Sequence, residues 1–425
     1  MKIKTRVSTY DKVMAMPRQE KKKPVRPNIV FRTLIRALSA PDLIKTKFTY
    51  TTERMELAGN GPWLVLMNHS SFIDLEIASK ILYPKPYGIV CTSDGFVGKD
   101  LLMRLIGCIP TNKFVTDVTL IGDIKHALFE KKMSVLMYPE ASYSFDGCAT
   151  PLPRKMGVVL KRLGVPVVTI MTKGAFLRDP LYNCLQKRDV KVSANVKCLL
   201  TPEELRAKST KEIDGILDKE FSFDNFAGQT ENRIRIDEPF RADGLNRILY
   251  KCASCGAEGE TEGKGTEFFC RKCGKTYELS EYGRLMAEDG DSVFSHIPDW
   301  YGWERQQIVK EIEAETYCLD TNVKIGMMVN HKAVYMVGEG HLHHDRNGFT
   351  LTGCGGKLNY TQPAGACYSL YADYFWYEID DVICIGDNDV LYYCFPEKRD
   401  VVAKTRMAAE ELYKMAKSRP AAKAE

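Results

Sequence analysis

The apolar run Trp63-Leu64-Val65-Leu66-Met67 stops at Asn68, and His69 follows directly. Five residues further on, Asp74 sits inside a helical pattern that continues to Leu82. A short apolar run with polar ends reads as a buried strand. That places an imidazole at the carboxyl end of a core strand, with a carboxylate about one helical turn away. The pair suits a histidine base held in one tautomer by an acid. Ser71-Phe72-Ile73-Asp74 also scans as a capping box, in which Asp74 satisfies backbone N–H groups. The sequence alone leaves both readings open.

Around this stretch, residues 50–220 alternate short apolar runs with helical patterns. Strands are expected at Trp63–Met67, Tyr87–Thr92, Ser134–Tyr138 and Pro166–Met171, with another near Lys191–Cys198. Helices are expected at Ser71–Leu82, Gly98–Ile106, Thr119–Lys131 and Lys155–Leu163. The alternation predicts an α/β fold, a largely parallel sheet with flanking helices. Ligands of such sheets gather beyond the carboxyl ends of the strands, where His69 and Glu140 both fall.

Charge is unevenly spread. Residues 1–50 carry 13 Lys/Arg against three Asp/Glu, whereas the whole chain of 425 residues is only +5. Residues 1–48 therefore read as a basic arm followed by an amphipathic helix near Asn28–Leu38. Such a helix suits either an anionic headgroup layer or the surface of the next domain. No run reaches the roughly 18 apolar residues that would span a bilayer. Met1-Lys2-Ile3-Lys4-Thr5-Arg6 leads into no apolar stretch, so no secretory signal is expected. Fourteen cysteines then point to reduced thiols in the cytoplasm rather than a disulfide scaffold.

Cys252-Ala253-Ser254-Cys255 and Cys270-Arg271-Lys272-Cys273 form two C-x-x-C knuckles, each followed by glycine. The spacing resembles a zinc ribbon over 247–285, with a rubredoxin-like iron as the alternative occupant. Four thiolates leave no open coordination position, so the metal is structural. Residues 245–285 hold seven basic and six acidic side chains, which argues against a nucleic-acid partner. Residues 221–246 read as an irregular linker whose Phe221, Phe223 and Phe226 pack back on the α/β region. From 290 to 425 seven short strands and a closing helix at Lys398–Lys417 resemble a PH-like barrel in outline, without a motif. His341-Leu342-His343-His344-Asp345 reads as a solvated hairpin end.

Four blocks in residues 49–220 resemble the glycerolipid acyltransferases typified by 1-acylglycerol-3-phosphate O-acyltransferase. They are Asn68-His69-Ser70-Ser71-Phe72-Ile73-Asp74; Gly107-Cys108-Ile109-Pro110-Thr111-Asn112-Lys113; Tyr138-Pro139-Glu140-Ala141-Ser142-Tyr143-Ser144 with Leu152-Pro153-Arg154-Lys155-Met156-Gly157; and Val165-Pro166-Val167-Val168. The resemblance implies an acyltransferase in which His69 is the general base and Asp74 orients it. It needs no catalytic cofactor: an acyl thioester, on coenzyme A or acyl carrier protein, is the donor. The implied acceptor is a lysophospholipid, 1-acylglycerol-3-phosphate first, met by Glu140, Ser142, Lys113, Arg154 and Lys155. Lys113 and Tyr143 stand where the family commonly has arginine, and Ala141 where it has glycine. Another lipid alcohol, or a non-catalytic lipid- or protein-binding adaptor, is the alternative. Both the basic entry and the lipid acceptor imply a protein peripherally bound to the cytoplasmic membrane.

Overall fold

A computed structural model describes residues 2–115 and 118–418. The strand Leu64–Met67 is wholly buried, and its side chains serve two cores. Leu64 and Leu66 join Ile124, Val135, Leu160 and Val167, while Val65 and Met67 join Ile73, Ile77, Leu136 and Val168. The two-residue period of a strand forces this division. A sheet covered on both faces reads as a continuous apolar run.

Seven strands form this sheet, in the order Thr49–Glu53, Ser193–Leu200, Val167–Lys173, Leu64–Met67, Ser134–Met137, Tyr87–Thr92 and Cys108–Thr111. All neighbours are parallel except Val167–Lys173 with Ser193–Leu200. The expected helices appear at Ile73–Leu82, Asp100–Leu105, Val118–Lys125 and Met156–Leu163. Gly157 lets the last of these approach the helix Thr210–Glu220. A Cβ there would lie 2.5 Å from the Thr210 carbonyl oxygen, and the Gly157 N–H donates to Asp214 Oδ1 at 2.6 Å.

A four-stranded antiparallel sheet carries the cysteine knuckles. Beyond the helix Ile297–Glu313, an antiparallel sheet runs Leu358–Pro363, Gly348–Gly353, Val334–Asp345, Leu319–Met328, Leu391–Pro396, Asp380–Gly386 and Tyr371–Trp376. The helix Val402–Ser418 closes the chain. The two end strands of this path are not paired with each other among the described residues, so the sheet is open and the barrel outline is not confirmed. Leu358–Pro363 was not expected as a strand, because only Leu358 in it is buried. Cys367–Leu370 is irregular, and His341–Asp345 is the end of the strand Val334–Asp345 at the hairpin to Gly348–Gly353, with His344 buried. The Ala/Lys tail after Ser418 lies outside the described residues.

Two domain expectations need correction. Residues 1–27 are not a free arm. Thr5–Val7 pairs in parallel with Val334–Met336, and the helix Tyr10–Met14 buries Val13 completely. Arg104 then donates to the Lys23 carbonyl at 2.9 Å. Unsatisfied backbone groups on a sheet edge bind any strand that reaches them, and charge counting does not register that. Nor are 221–246 wholly irregular: Asn225–Glu231 is a helix, Phe221 packs in a core of the parallel sheet and Phe226 in a further cluster. Phe145, Phe176, Phe226, Leu249, Tyr277, Trp300, Ile325 and Met407 belong to one continuous hydrophobic cluster. The helix Ile29–Lys45 does pack on the neighbouring structure, burying Ser39 and Leu43.

Candidate active site

Asn68 locks the ends of two neighbouring strands. Its Oδ1 accepts from the Thr172 N–H at 2.7 Å, and its Nδ2 donates to the Thr172 carbonyl and to Ser70 Oγ. His69 leaves the sheet at this fixed point. Asp74, in the first turn of the next helix, brings Oδ2 to 3.1 Å from His69 Nδ1. The same oxygen accepts the Ser70 and Ser71 N–H groups at 2.7 and 3.1 Å. The capping and orienting readings of Asp74 are therefore both realised in one carboxylate. With Nδ1 committed, Nε2 is the ring nitrogen left for a substrate proton.

His69 lies between two aromatic rings. Tyr138 stacks at 3.9 Å between centroids and Tyr143 at 4.1 Å. The imidazole keeps 17% of its side-chain surface exposed. Burial, and then the positive charge of Lys113, hold it well below its ordinary pKa. Burial pushes the Asp74 carboxyl up to about 7, against the two backbone donors. The direct contact between the pair acts oppositely on both, and one shared proton satisfies it. A neutral imidazole with a free Nε2 is the state these forces favour at neutral pH.

The other residues singled out from sequence are less uniformly placed. Glu140 is buried beside the histidine, and its two oxygens are occupied by the His69 N–H at 2.9 Å and the Thr150 N–H at 3.0 Å. Desolvation raises its pKa to about 7. It thus fixes the backbone of His69. Ser142 is buried, with its hydroxyl turned to the Tyr143 carbonyl. Ala141 takes φ 56, the left-handed conformation that a glycine holds without strain. Arg154 and Lys155 are exposed. Lys113 is half-buried, 4.0 Å from Asp373 and over the Tyr371 ring at 4.4 Å.

Asp373 and Tyr371 come from the C-terminal sheet, and sequence reading missed them. Tyr371 and Trp376 both donate to Asp94, which follows the strand Tyr87–Thr92. Arg406 of the last helix donates to the Tyr143 carbonyl at 3.3 Å and lies over the Phe145 ring. The C-terminal sheet and its closing helix therefore meet the parallel sheet beside Lys113, Asp94 and Tyr143. No local pattern announces such a contact, because its partners lie about 280 residues apart. A cavity of about 580 Å³ between the ribbon and the C-terminal sheet is lined by none of the predicted site residues.

The four knuckle cysteines converge, with all sulfurs within 4.8 Å of one another. Cys252–Cys273 and Cys255–Cys270 are each 3.8 Å apart. That is far too long for a disulfide of about 2.05 Å. It equals the edge of a tetrahedron with metal–sulfur bonds of about 2.3 Å. His341 and His343 instead share Asp320 on an exposed strand face, at 2.6 and 3.3 Å. His344 is buried against Phe349.

Residues 47–173 match the family model described as Acyltransferase. No curated protein matches the chain. Among solved structures, the crystal structure of the 1-acyl-sn-glycerophosphate (LPA) acyltransferase, PlsC, from Thermotoga maritima matches at 16% identity and a TM-score of 0.32. The match covers 45% of this chain and 80% of that one.

Proposed function

Because residues 47–173 match the acyltransferase family model, we propose that this chain moves an acyl group from a thioester donor to a lipid hydroxyl, with His69 as general base. The observation that carries the reading is the 3.1 Å contact between His69 Nδ1 and Asp74 Oδ2, which commits one ring nitrogen and frees the other. The acceptor oxygen attacks the thioester carbonyl while Nε2 takes its proton. The tetrahedral intermediate collapses, the carbon–sulfur bond breaks, and the imidazolium returns the proton to the departing sulfur. Asp74 stabilises the transient cation, as the acid does in a serine-protease triad, with the substrate alcohol replacing the serine. Acyl-CoA and acyl carrier protein both supply the required thioester. Glu140 contributes by holding the His69 backbone, not by binding acceptor.

Turnover of labelled acyl thioester with a panel of lipid alcohols tests this directly. His69→Ala should reduce transfer by about 10²–10⁴-fold, the usual contribution of a general base. The acid limb of the wild-type profile should lie below the ordinary imidazole value of about 6.5, since the base works only when neutral and its pKa is lowered. Lipid binding without turnover, indifferent to His69→Ala, would return the protein to the adaptor class.

Two further assignments accompany the reaction. The four cysteines would hold a structural zinc, with Cys252 and Cys270 buried and Cys255 and Cys273 exposed. The helix Ile29–Lys45 would rest on an anionic membrane, because Val30, Leu34 and Leu38 project from it 69, 51 and 72% exposed among basic neighbours. No helix among the described residues is long and apolar enough to cross a membrane.

A further inference from the structure

The C-terminal sheet delivers a carboxylate to the cation at the imidazole. Lys113 is the cation whose charge reaches His69, and it already faces Asp373 at 4.0 Å with both side chains nearly buried. The second nearby cation, Arg406, donates from Nε to Glu410 Oε1 at 3.3 Å and from Nη1 to the Tyr143 carbonyl. Tyr143, stacked on the imidazole, brings no charge. Two backbone N–H groups after the strand, those of Ser70 and Ser71, are spent on Asp74, and that of His69 on Glu140. A phosphomonoester carries about −1.5 to −2 charges at neutral pH and three strong acceptor oxygens. Near the imidazole it would meet a lysine that already faces a carboxylate and an arginine that is already engaged.

Asp373 has accepting capacity left over. It is 7% exposed, and its Oδ1 is buried without a hydrogen-bond donor. A carboxylate accepts hydrogen bonds, and a polyol head group offers hydroxyl donors. Resting on the acyltransferase reading above, we propose that Asp373 sets the acceptor class: an uncharged lipid polyol, such as a monoacylglycerol, in preference to a phosphomonoester. Asp373 acts through Lys113 by cancelling its charge, and directly by accepting from the second hydroxyl of the acceptor.

The experiment uses the full-length, metal-replete chain with one labelled acyl-CoA. Two acceptors with the same acyl chain are compared in identical mixed micelles: monoacylglycerol and 1-acylglycerol-3-phosphate. Wild type should favour monoacylglycerol at least tenfold in kcat/KM. Asp373→Asn, which removes the charge but keeps the shape, should shift the ratio at least tenfold toward the phosphate acceptor. The shift should come through KM for the phosphate acceptor, a change that a merely structural role would not single out. Asp373→Glu should restore the wild-type ratio. Wild-type preference for the phosphate acceptor overturns the assignment, as does an unchanged ratio in a folded Asn variant. If the Asn variant does not fold, the wild-type ratio decides alone. Should neither acceptor be used while His69-dependent thioester hydrolysis persists, the acceptor assignment fails and the base chemistry stands. Loss of hydrolysis as well would remove the acyltransferase reading itself.

Discussion

The two large sheets of this protein reach the imidazole by opposite routes. The parallel sheet presents its residues at strand ends, where chain geometry concentrates them: Asn68, His69 and Glu140 each follow a strand within a few residues. The antiparallel sheet contributes from its edge strand Tyr371–Trp376 and from the helix packed beside it. Its residues carry no motif, since what matters is only the side of the sheet they face. The residues readable from a few consecutive positions thus sit in the first sheet, and side chains packed around them come from the second.

If that division holds, the halves are inseparable, and disturbing one should be felt in the other. The largest effect is expected from the metal. Structural zinc in small domains is worth about 10–16 kcal/mol of apparent folding energy. The knuckles lie next to Leu249, Tyr250 and Tyr277, which belong to the core that also holds Phe145 and Phe176. Elemental analysis should find one zinc per chain, and chelation should lower the melting temperature of the whole protein. A metal-free chain with an unaltered transition would dissolve both the zinc assignment and the coupling.

Next comes Trp376→Ala. The indole is 3% exposed and donates to Asp94 Oδ2 at 3.1 Å across the junction between the sheets. The substitution should cost about 3–5 kcal/mol in denaturant unfolding, as for other buried large-to-small changes. It should also impair transfer, because the same junction holds Lys113. A loss under about 1 kcal/mol would mean that the sheets fold independently and the comparison is only architectural.

The smallest effect sharpens the contrast on the outer surface. Leu34→Asp and Leu38→Asp lie on a helix face that neither sheet covers. Each should weaken co-sedimentation with anionic vesicles roughly tenfold, the scale set by burying a leucine at about 1.5 kcal/mol. Thermal stability should hardly change. Equal vesicle binding by both variants would assign the exposed face to something other than lipid.

Legibility followed the range of the interactions. The strand Leu64–Met67, the pairing of His69 with Asp74 and the four cysteines are encoded within a few residues or by fixed spacing, and each was visible before any fold was known. Glu140 was noticed without its partners. Its position was apparent, whereas its engagement with the His69 and Thr150 N–H groups depends on loop conformation. The N-terminal strand Thr5–Val7 escaped because it is three exposed residues whose stability comes from an edge some 330 residues away.

By itself the sequence determined the parallel α/β layer, the histidine–aspartate pair and the metal knuckles. In each of these, periodicity or spacing confines the backbone to few arrangements. Only the tertiary structure decided that Tyr138 and Tyr143 enclose the imidazole, that Asp373 answers Lys113 and that one core joins the ribbon and the C-terminal sheet to Phe145 and Phe176. Those facts depend on which faces meet when apolar surface is withdrawn from water, a force without direction that leaves no mark in local order.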